Sequence, residues 1–196
     1  MTGGALVVAA GYARRFGGDK RLYLLQNREP MLVATLRSYC AAFPNVAVVV
    51  RNDDSRIARL VMKEFQRNPP LVITTDQASF GMAHSLADGV RTLSGWDYLF
   101  IGLGDMPFVR VDSLKRLDAE MRDARHEACP CVVVPQCGDT PGHPVGFSCD
   151  FFGELVALSG DRGARAVVER HADVVITVSL DDPGVLQDVD APAEAR

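Results

Sequence analysis

At 196 residues, with 47% hydrophobic and 23% charged residues, the chain is long enough to bury one sizeable core and only marginally long enough for two. Its formal net charge of -4 argues against a general nucleic-acid binder, which needs a basic face, so any phosphate recognition has to be local. No window approaches the ~18 apolar residues of a membrane-crossing helix and Met1–Gly4 lacks the basic start of an export leader, so a cytoplasmic protein with neither membrane nor nucleic-acid partners is expected.

The chain opens on an apolar run over 5–10 that breaks at Gly11 and continues through Arg14, Arg15, Gly17, Gly18 and Lys20. An apolar strand leading into a glycine- and cation-rich loop presents backbone N–H groups and fixed positive charge to a phosphate. Neither GxxxxGK[ST] nor GxGxxG is present, since Lys20 follows Asp19, and Tyr12 with Ala13 separates Gly11 from the arginines. A phosphate bound here would be held by side-chain cations as much as by backbone.

Further β-branched runs follow at 46–50, 71–75, 98–103, 131–135 and 174–179, with helical periodicity between most of them. Over 31–43, Met31, Leu32, Leu36 and Tyr39 share a face behind Pro30, a residue that a first helical turn tolerates. Over 53–65, Asp53 or Asp54 can cap a stripe of Ile57, Leu60 and Val61. Segment 83–93 aligns Leu86, Val90 and Leu93, and segment 112–124 starts at Asp112 as the expected N-cap and carries Leu114, Leu117 and Met121. A last helix over 162–171 turns Ala164, Val167 and Val168 inward. Strands alternating with amphipathic helices imply an α/β fold, with a mostly parallel sheet covered on both faces in a single domain over 1–196.

Ligands of such sheets bind beyond the C-terminal ends of the strands, at the topological switch point. The strand ends lead to Gly81–Met82–Ala83–His84–Ser85, to Gly104–Asp105–Met106–Pro107, to Asp188–Val189–Asp190, and to an irregular stretch holding Gly138, Pro141–Gly142–His143–Pro144 and Gly146. Asp105 lies one glycine past an apolar strand, where a carboxylate can hold Mg²⁺ on the phosphates of a nucleotide. Magnesium takes one or two protein carboxylates, and Asp190 is the natural second. A turn cap and an exposed acid are the plainer readings of these two residues. Arg15 and Lys20 would offset charge on a triphosphate and on departing pyrophosphate, where a solvated basic turn is the plainer reading of Arg14 and Arg15.

His143 can act as acid or base, a hydrogen-bonding loop role being the more economical one. Ser85 has neither a recognisable base partner nor a GxSxG elbow, which sets serine-hydrolase chemistry aside. The missing GxGxxG does the same for a nicotinamide-dependent reductase. The cysteines, Cys40, Cys129, Cys131, Cys137 and Cys149, are odd in number and unevenly spaced. They read as reduced, buried thiols rather than a disulfide framework, or a zinc site formed with His143.

Taken together, AAG followed by ARRFGGDK, REPML over 28–32, GMAHSLADGV over 81–90, GDMPFV over 104–109, GHPVGF over 142–147, GDRGAR over 160–165 and DVDAPAE over 188–194 resemble, in order, the MobA-like nucleotidyltransferases. The likeness is greatest to molybdenum cofactor cytidylyltransferases. The resemblance implies a Rossmann-like three-layer α/β/α sandwich of the nucleotide-diphospho-sugar transferase kind. It implies an Mg²⁺-dependent enzyme that moves NMP, with CTP the expected donor from Ala9–Ala10–Gly11, to the terminal phosphate of molybdopterin and releases pyrophosphate. Arg15, Lys20 and Asp105 would be the catalytic set, with Ala9, Ala10 and Gly11 also on the nucleotide and Gly81 and Ser85 near base and ribose. Asp105 and Asp190 would hold Mg²⁺, and His143, Pro144, Asp161, Gly163 and Arg165 would face the acceptor. A molybdoenzyme or its chaperone would receive the product. Transfer to a sugar or polyol phosphate, and a non-catalytic nucleotide- or cofactor-binding chaperone, are the alternatives. The chain departs from the family pattern at Ala13 and Ala191, and at Cys137 and Asp139 in the loop before His143.

Overall fold

The computed structural model of the chain describes residues 1–12, 16, 18–127, 129–159 and 163–191. Among them, eight strands form one sheet: β1 (Gly3–Val8), β2 (Val46–Arg51), β3 (Leu71–Thr75), β4 (Tyr98–Leu103), β5 (Val132–Cys137), β6 (Thr140–Pro141), β7 (Val145–Ser148) and β8 (Val175–Ser179). Their order is β3-β2-β1-β4-β7-β5-β6, with β8 pairing β5. Strand β1 runs parallel to β2 and β4, β2 parallel to β3, and β5 parallel to β8. The sheet is therefore mostly parallel, as the near-continuous apolar runs predict.

Two strands are the exceptions: the two-residue β6 runs antiparallel to β5, and β7 runs antiparallel to both β4 and β5. Strand β7 falls in the stretch that the sequence reads as irregular, because it is four residues long and carries Gly146. That glycine answers to close packing rather than to a turn: a Cβ there would stand 2.5 Å from Phe100 Cε1. Side chains alternate across the sheet, so Ala5 and Val7 of β1 face one layer and Leu6 and Val8 the other. The first layer is α1 (Met31–Ala42), α2 (Ser55–Glu64) and α4 (Val111–His126); the second is α3 (Met82–Thr92), α5 (Phe152–Val156) and α6 (Arg165–Arg170).

The apolar stripes of α1 and α4 are buried as expected, with Met31, Leu32, Leu36, Tyr39, Leu114, Leu117 and Met121 at 0% exposure, while Leu60 of α2 and Ala164 and Val168 by α6 are only half-buried. The expected caps fare differently. Asp54 stands at the N-cap of α2 but makes no side-chain cap bond, because its carboxylate is taken by Arg21 and Arg51. Asp112 is not the N-cap of α4, which begins a residue earlier behind Arg110; the carboxylate of Asp182 does that work from across the fold. The helix expected over 162–171 begins at Arg165, after Gly163 at φ 55°, and residue 162 lies outside the described ones. All five cysteines are free, and Cys129 is exposed rather than buried. No helix among the described residues is long and apolar enough to cross a membrane.

Candidate active site

From β1 the chain builds outward to β2 and β3, then returns to β4 on the other side of β1. The gap beyond the ends of β1 and β4 is therefore the switch point, where backbone groups of two strand ends face solvent without a helix between them. Val8 pairs with Leu103 there, and Gly104 N–H donates to Val8 C=O at 3.0 Å. The ends pack closely enough that a Cβ on Gly104 would come within 2.9 Å of Ala9 Cβ.

A cavity of about 320 Å³ opens at this point, lined in part by Ala9, Ala10, Gly11, Lys20, Ser85 and Asp105. Six residues of the expected nucleotide set, from four separate stretches of sequence, thus meet in one place. Gly81 stands at the N-terminus of α3 with φ 109°, a conformation glycine adopts freely, and starts the turn that brings Ser85 in, buried, from the first turn of the helix. Arg15 lies outside the described residues.

Lys20 is the electrostatic centre. Its Nζ lies 2.5 Å from Asp105 Oδ2 and 3.1 Å from Asp190 Oδ1, with Val189 C=O at 3.4 Å. Burial alone would weaken its hold on the proton, but hydrogen bonds and charge from Asp105 and Asp190 outweigh that and keep the ammonium above the usual lysine value. The two carboxylates predicted to share a metal thus converge on one cation. Hard oxygen donors in a pair, open to water and phosphate, suit a divalent ion of the magnesium kind, so the residues fit the group. No cluster of three or more His, Cys, Asp or Glu able to hold a metal exists among the described residues, so nucleotide oxygens would have to complete the shell.

Arg21 is the residue that motif reading passed over. Its guanidinium is buried and fully engaged: Nη1 donates to Ala9 C=O at 2.9 Å and to Asp54 Oδ2 at 2.5 Å, while Nε and Nη2 grip Asp19 at 2.8 and 2.7 Å. Burial raises the Asp19 carboxyl's pKa, yet the guanidinium outweighs it and leaves that group below the ordinary carboxylate value. Arg51 continues the network, donating to Asp54 and to Gly11 C=O and lying over the Tyr12 ring. These cations hold the loop's own backbone in shape, leaving Lys20 for ligand. Asp188 is the second omission: it lines the same cavity, and its only sequence signal is its alternation with Asp190.

A second cavity, of about 440 Å³, adjoins the first and shares Val8, Met82 and Leu103 with it. Of the residues expected to face an acceptor, His143, Gly163 and Arg165 line it, and Asp161 lies outside the described residues. Its walls are mainly apolar, from Leu86, Ile101, Val134 and Val145. Arg165 is exposed and paired with Glu169 at 2.8 Å. Pro144 is buried behind a cis bond from His143 and is not in the wall. His143 has a buried Nδ1 without a hydrogen-bond partner among the described residues. Burial pushes its pKa below the ordinary histidine value against the pull of the Ile101 backbone, Asp105 and Asp188. A polar recess of about 310 Å³ shares Ala78 with the first cavity and is lined by Tyr12, Arg51, Asn52, Asp53, Thr75 and Asp76. A larger cavity, about 530 Å³, lies away from the strand ends against α1 and offers only the Glu29–Arg37 pair as charge.

The sequence profile of the MobA-like NTP transferase domain matches residues 5–174. A probable molybdenum cofactor guanylyltransferase of Natranaerobius thermophilus is 25% identical over 134 residues, which cover 67% of this chain. The match spans 58% of that curated relative's own length. Among solved structures, Rv0371c of Mycobacterium tuberculosis H37Rv is similar at TM-score 0.80 and 26% identity, over 99% of this chain and 95% of that one. A structure of Rv0371c in complex with manganese is similar at TM-score 0.75 and 25% identity, over 99% and 96% of the two chains.

Proposed function

The chain belongs to the MobA-like NTP transferase family, and from that membership we propose that it transfers NMP from an NTP to the terminal phosphate of molybdopterin, releasing pyrophosphate, with CTP as donor. The observation that carries the reading is the meeting of Lys20, Asp105 and Asp190 at the β1–β4 switch point, beside a cavity that shares Val8, Met82 and Leu103 with a second one. The triphosphate would lie against Ala9–Gly11 with Lys20 on its oxygens, and the motif assigns Arg15 to the same phosphates. A phosphate oxygen of the acceptor attacks the α-phosphorus in line. The new P–O bond forms as the bond to the β-phosphate's bridging oxygen breaks, and pyrophosphate leaves with the electron pair. That nucleophile is already ionised, so the reaction asks for no general base. Asp105 and Asp190 would hold Mg²⁺, which when bound would neutralise charge on the departing pyrophosphate.

CTP is proposed from the Ala9–Ala10–Gly11 signature; GTP is the second reading, favoured by the guanylyltransferase relative. The acceptor cavity is mainly apolar, with His143, Arg165 and Glu169 as its polar side chains; molybdopterin is proposed as acceptor from the family likeness, and a sugar or polyol phosphate is the alternative. A molybdoenzyme or its chaperone is the proposed recipient.

Purified protein incubated with molybdopterin, Mg²⁺ and each NTP in turn should release pyrophosphate, most with CTP; no release above background with any NTP would overturn the reading. Asp105→Ala should still bind nucleotide while turnover falls by about 10²-fold or more. Unchanged turnover in that variant would remove Asp105 from the mechanism.

A further inference from the structure

The segment 182–190 crosses the site as a strap, pinned at each point where it passes another loop. Val185 C=O accepts from His143 N–H at 2.8 Å, and Val189 N–H donates to Asp105 C=O at 3.0 Å. The contacts are backbone on backbone: a Cβ on Gly184 would stand 2.2 Å from Phe108 C=O, and one on Gly142 2.4 Å from Val185 C=O. Val185 and Val189 are both at 0% exposure. Beyond Val185 the strap carries Asp188 into the nucleotide cavity and Asp190 to Lys20.

What fixes the start of the strap is Asp182, 2% exposed. Its Oδ2 accepts from Arg110 N–H at 2.9 Å and Ser113 Oγ at 2.7 Å, and its Oδ1 accepts from Gly184 N–H at 3.0 Å. The Arg110 guanidinium in turn donates to Asp181 C=O at 2.8 Å. One carboxylate therefore caps α4 and the strap's own turn at once. A buried carboxylate with three donors around it is held in one place, because any displacement strands either the charge or a helix-end N–H.

We infer that Asp182 is a positioning residue of the nucleotide–metal site: by locking the strap to the N-terminus of α4 it sets where Asp190 stands opposite Asp105. This rests on the reading of Asp105 and Asp190 as the pair that holds the divalent ion. Asparagine at 182 preserves shape but must aim its NH₂ at a backbone N–H in either orientation, since Arg110 N–H meets one oxygen and Gly184 N–H the other.

Mn²⁺ binding, followed by electron paramagnetic resonance with CTP and in parallel with GTP, tests this on wild type, Asp182→Asn, Ser113→Ala and Tyr98→Phe, beside amide hydrogen exchange over 183–191. Asp182→Asn should weaken Mn²⁺ in the nucleotide complex by about 10–100-fold. It should also speed exchange at Gly184, Val185 and Val189. Ser113→Ala should move both readouts the same way by less, and it carries the test if Asp182→Asn does not fold. Tyr98→Phe loosens α4 elsewhere by removing the Tyr98–Asp118 bond, and should lower the melting temperature without touching Mn²⁺. The inference is overturned if Asp182→Asn binds Mn²⁺ as wild type does, or if Tyr98→Phe weakens Mn²⁺ equally at a matched loss of stability. Wild type that binds no Mn²⁺ with either nucleotide overturns the carboxylate pair itself, and the role of Asp182 falls with it.

Discussion

Arg21 sits beside Lys20 in sequence and does the opposite job. One cation is spent on the protein's own carbonyl and carboxylates, the other on a site open to ligand. Replacing Arg21 with Met would take from Asp19 and Asp54 their shared counter-ion, leaving Asp54 to Arg51 alone, and should destabilise by up to about 3–5 kcal/mol in urea denaturation. Arg21→Lys should recover only part of that, because one ammonium cannot reproduce a forked guanidinium. His143 gives a prediction with a definite sign. Burial holds its pKa below the ordinary value, so the folded protein binds fewer protons there than the unfolded chain. Its contribution to stability is full above the ordinary value and is lost as pH falls through the lowered folded one. Wild type should therefore lose more melting temperature than His143→Asn between about pH 7 and 5. Equal losses would place the acid sensitivity elsewhere. Lys20, Asp105 and Asp190 were legible in the sequence because each follows a strand end in a short, punctuated motif. Arg21 was not, because a motif counts cations without saying whether a ligand or the loop's own backbone will claim them.

Elements were read well where periodicity is long and poorly where a contact decides. The stripes of α1, α3 and α4 are buried as their spacing predicts, since several apolar residues per face leave little choice of orientation. Strand β7 carries no periodic signal of its own, because Gly146 reads as loop unless Phe100 packs over it. Spacing points to Asp112 as the cap of α4 because it is local, whereas Asp182 lies 72 residues past Arg110, beyond any short-range rule. A close approach of the same kind joins β4 to α1. A Cβ on Gly102 would stand 2.3 Å from Tyr39 Oη, and Tyr39 is wholly buried. Gly102→Ala should therefore cost about 1–3 kcal/mol, read as a lower denaturant midpoint. Gly95→Ala, where nothing lies within 4 Å, is the matched control and should cost far less.

At the scale of the whole molecule, the strand order brings distant motifs together. Placing β4 beside β1 carries Asp105 to Lys20, and the strap returns Asp190 to the same point from the far end of the chain. Sequence order could list those motifs but not their meeting, nor that the two cavities share Val8, Met82 and Leu103 as a common wall. Lys20 between Asp105 and Asp190 has a further consequence for the order in which ligands load. A covalently attached ammonium is a competitor that never diffuses away, so a free divalent ion must displace an occupant of high effective concentration. A triphosphate changes that contest by offering Lys20 other oxygens and bringing its own metal. Metal and nucleotide should therefore bind as mutual activators: each should raise the other's affinity by one and the same factor in calorimetric titrations of Mn²⁺ and CTP, whichever is added first. Independent affinities would show that Lys20 does not guard the site. Where they are coupled, the resting protein ignores the cell's free magnesium and responds to the charged nucleotide as a single unit.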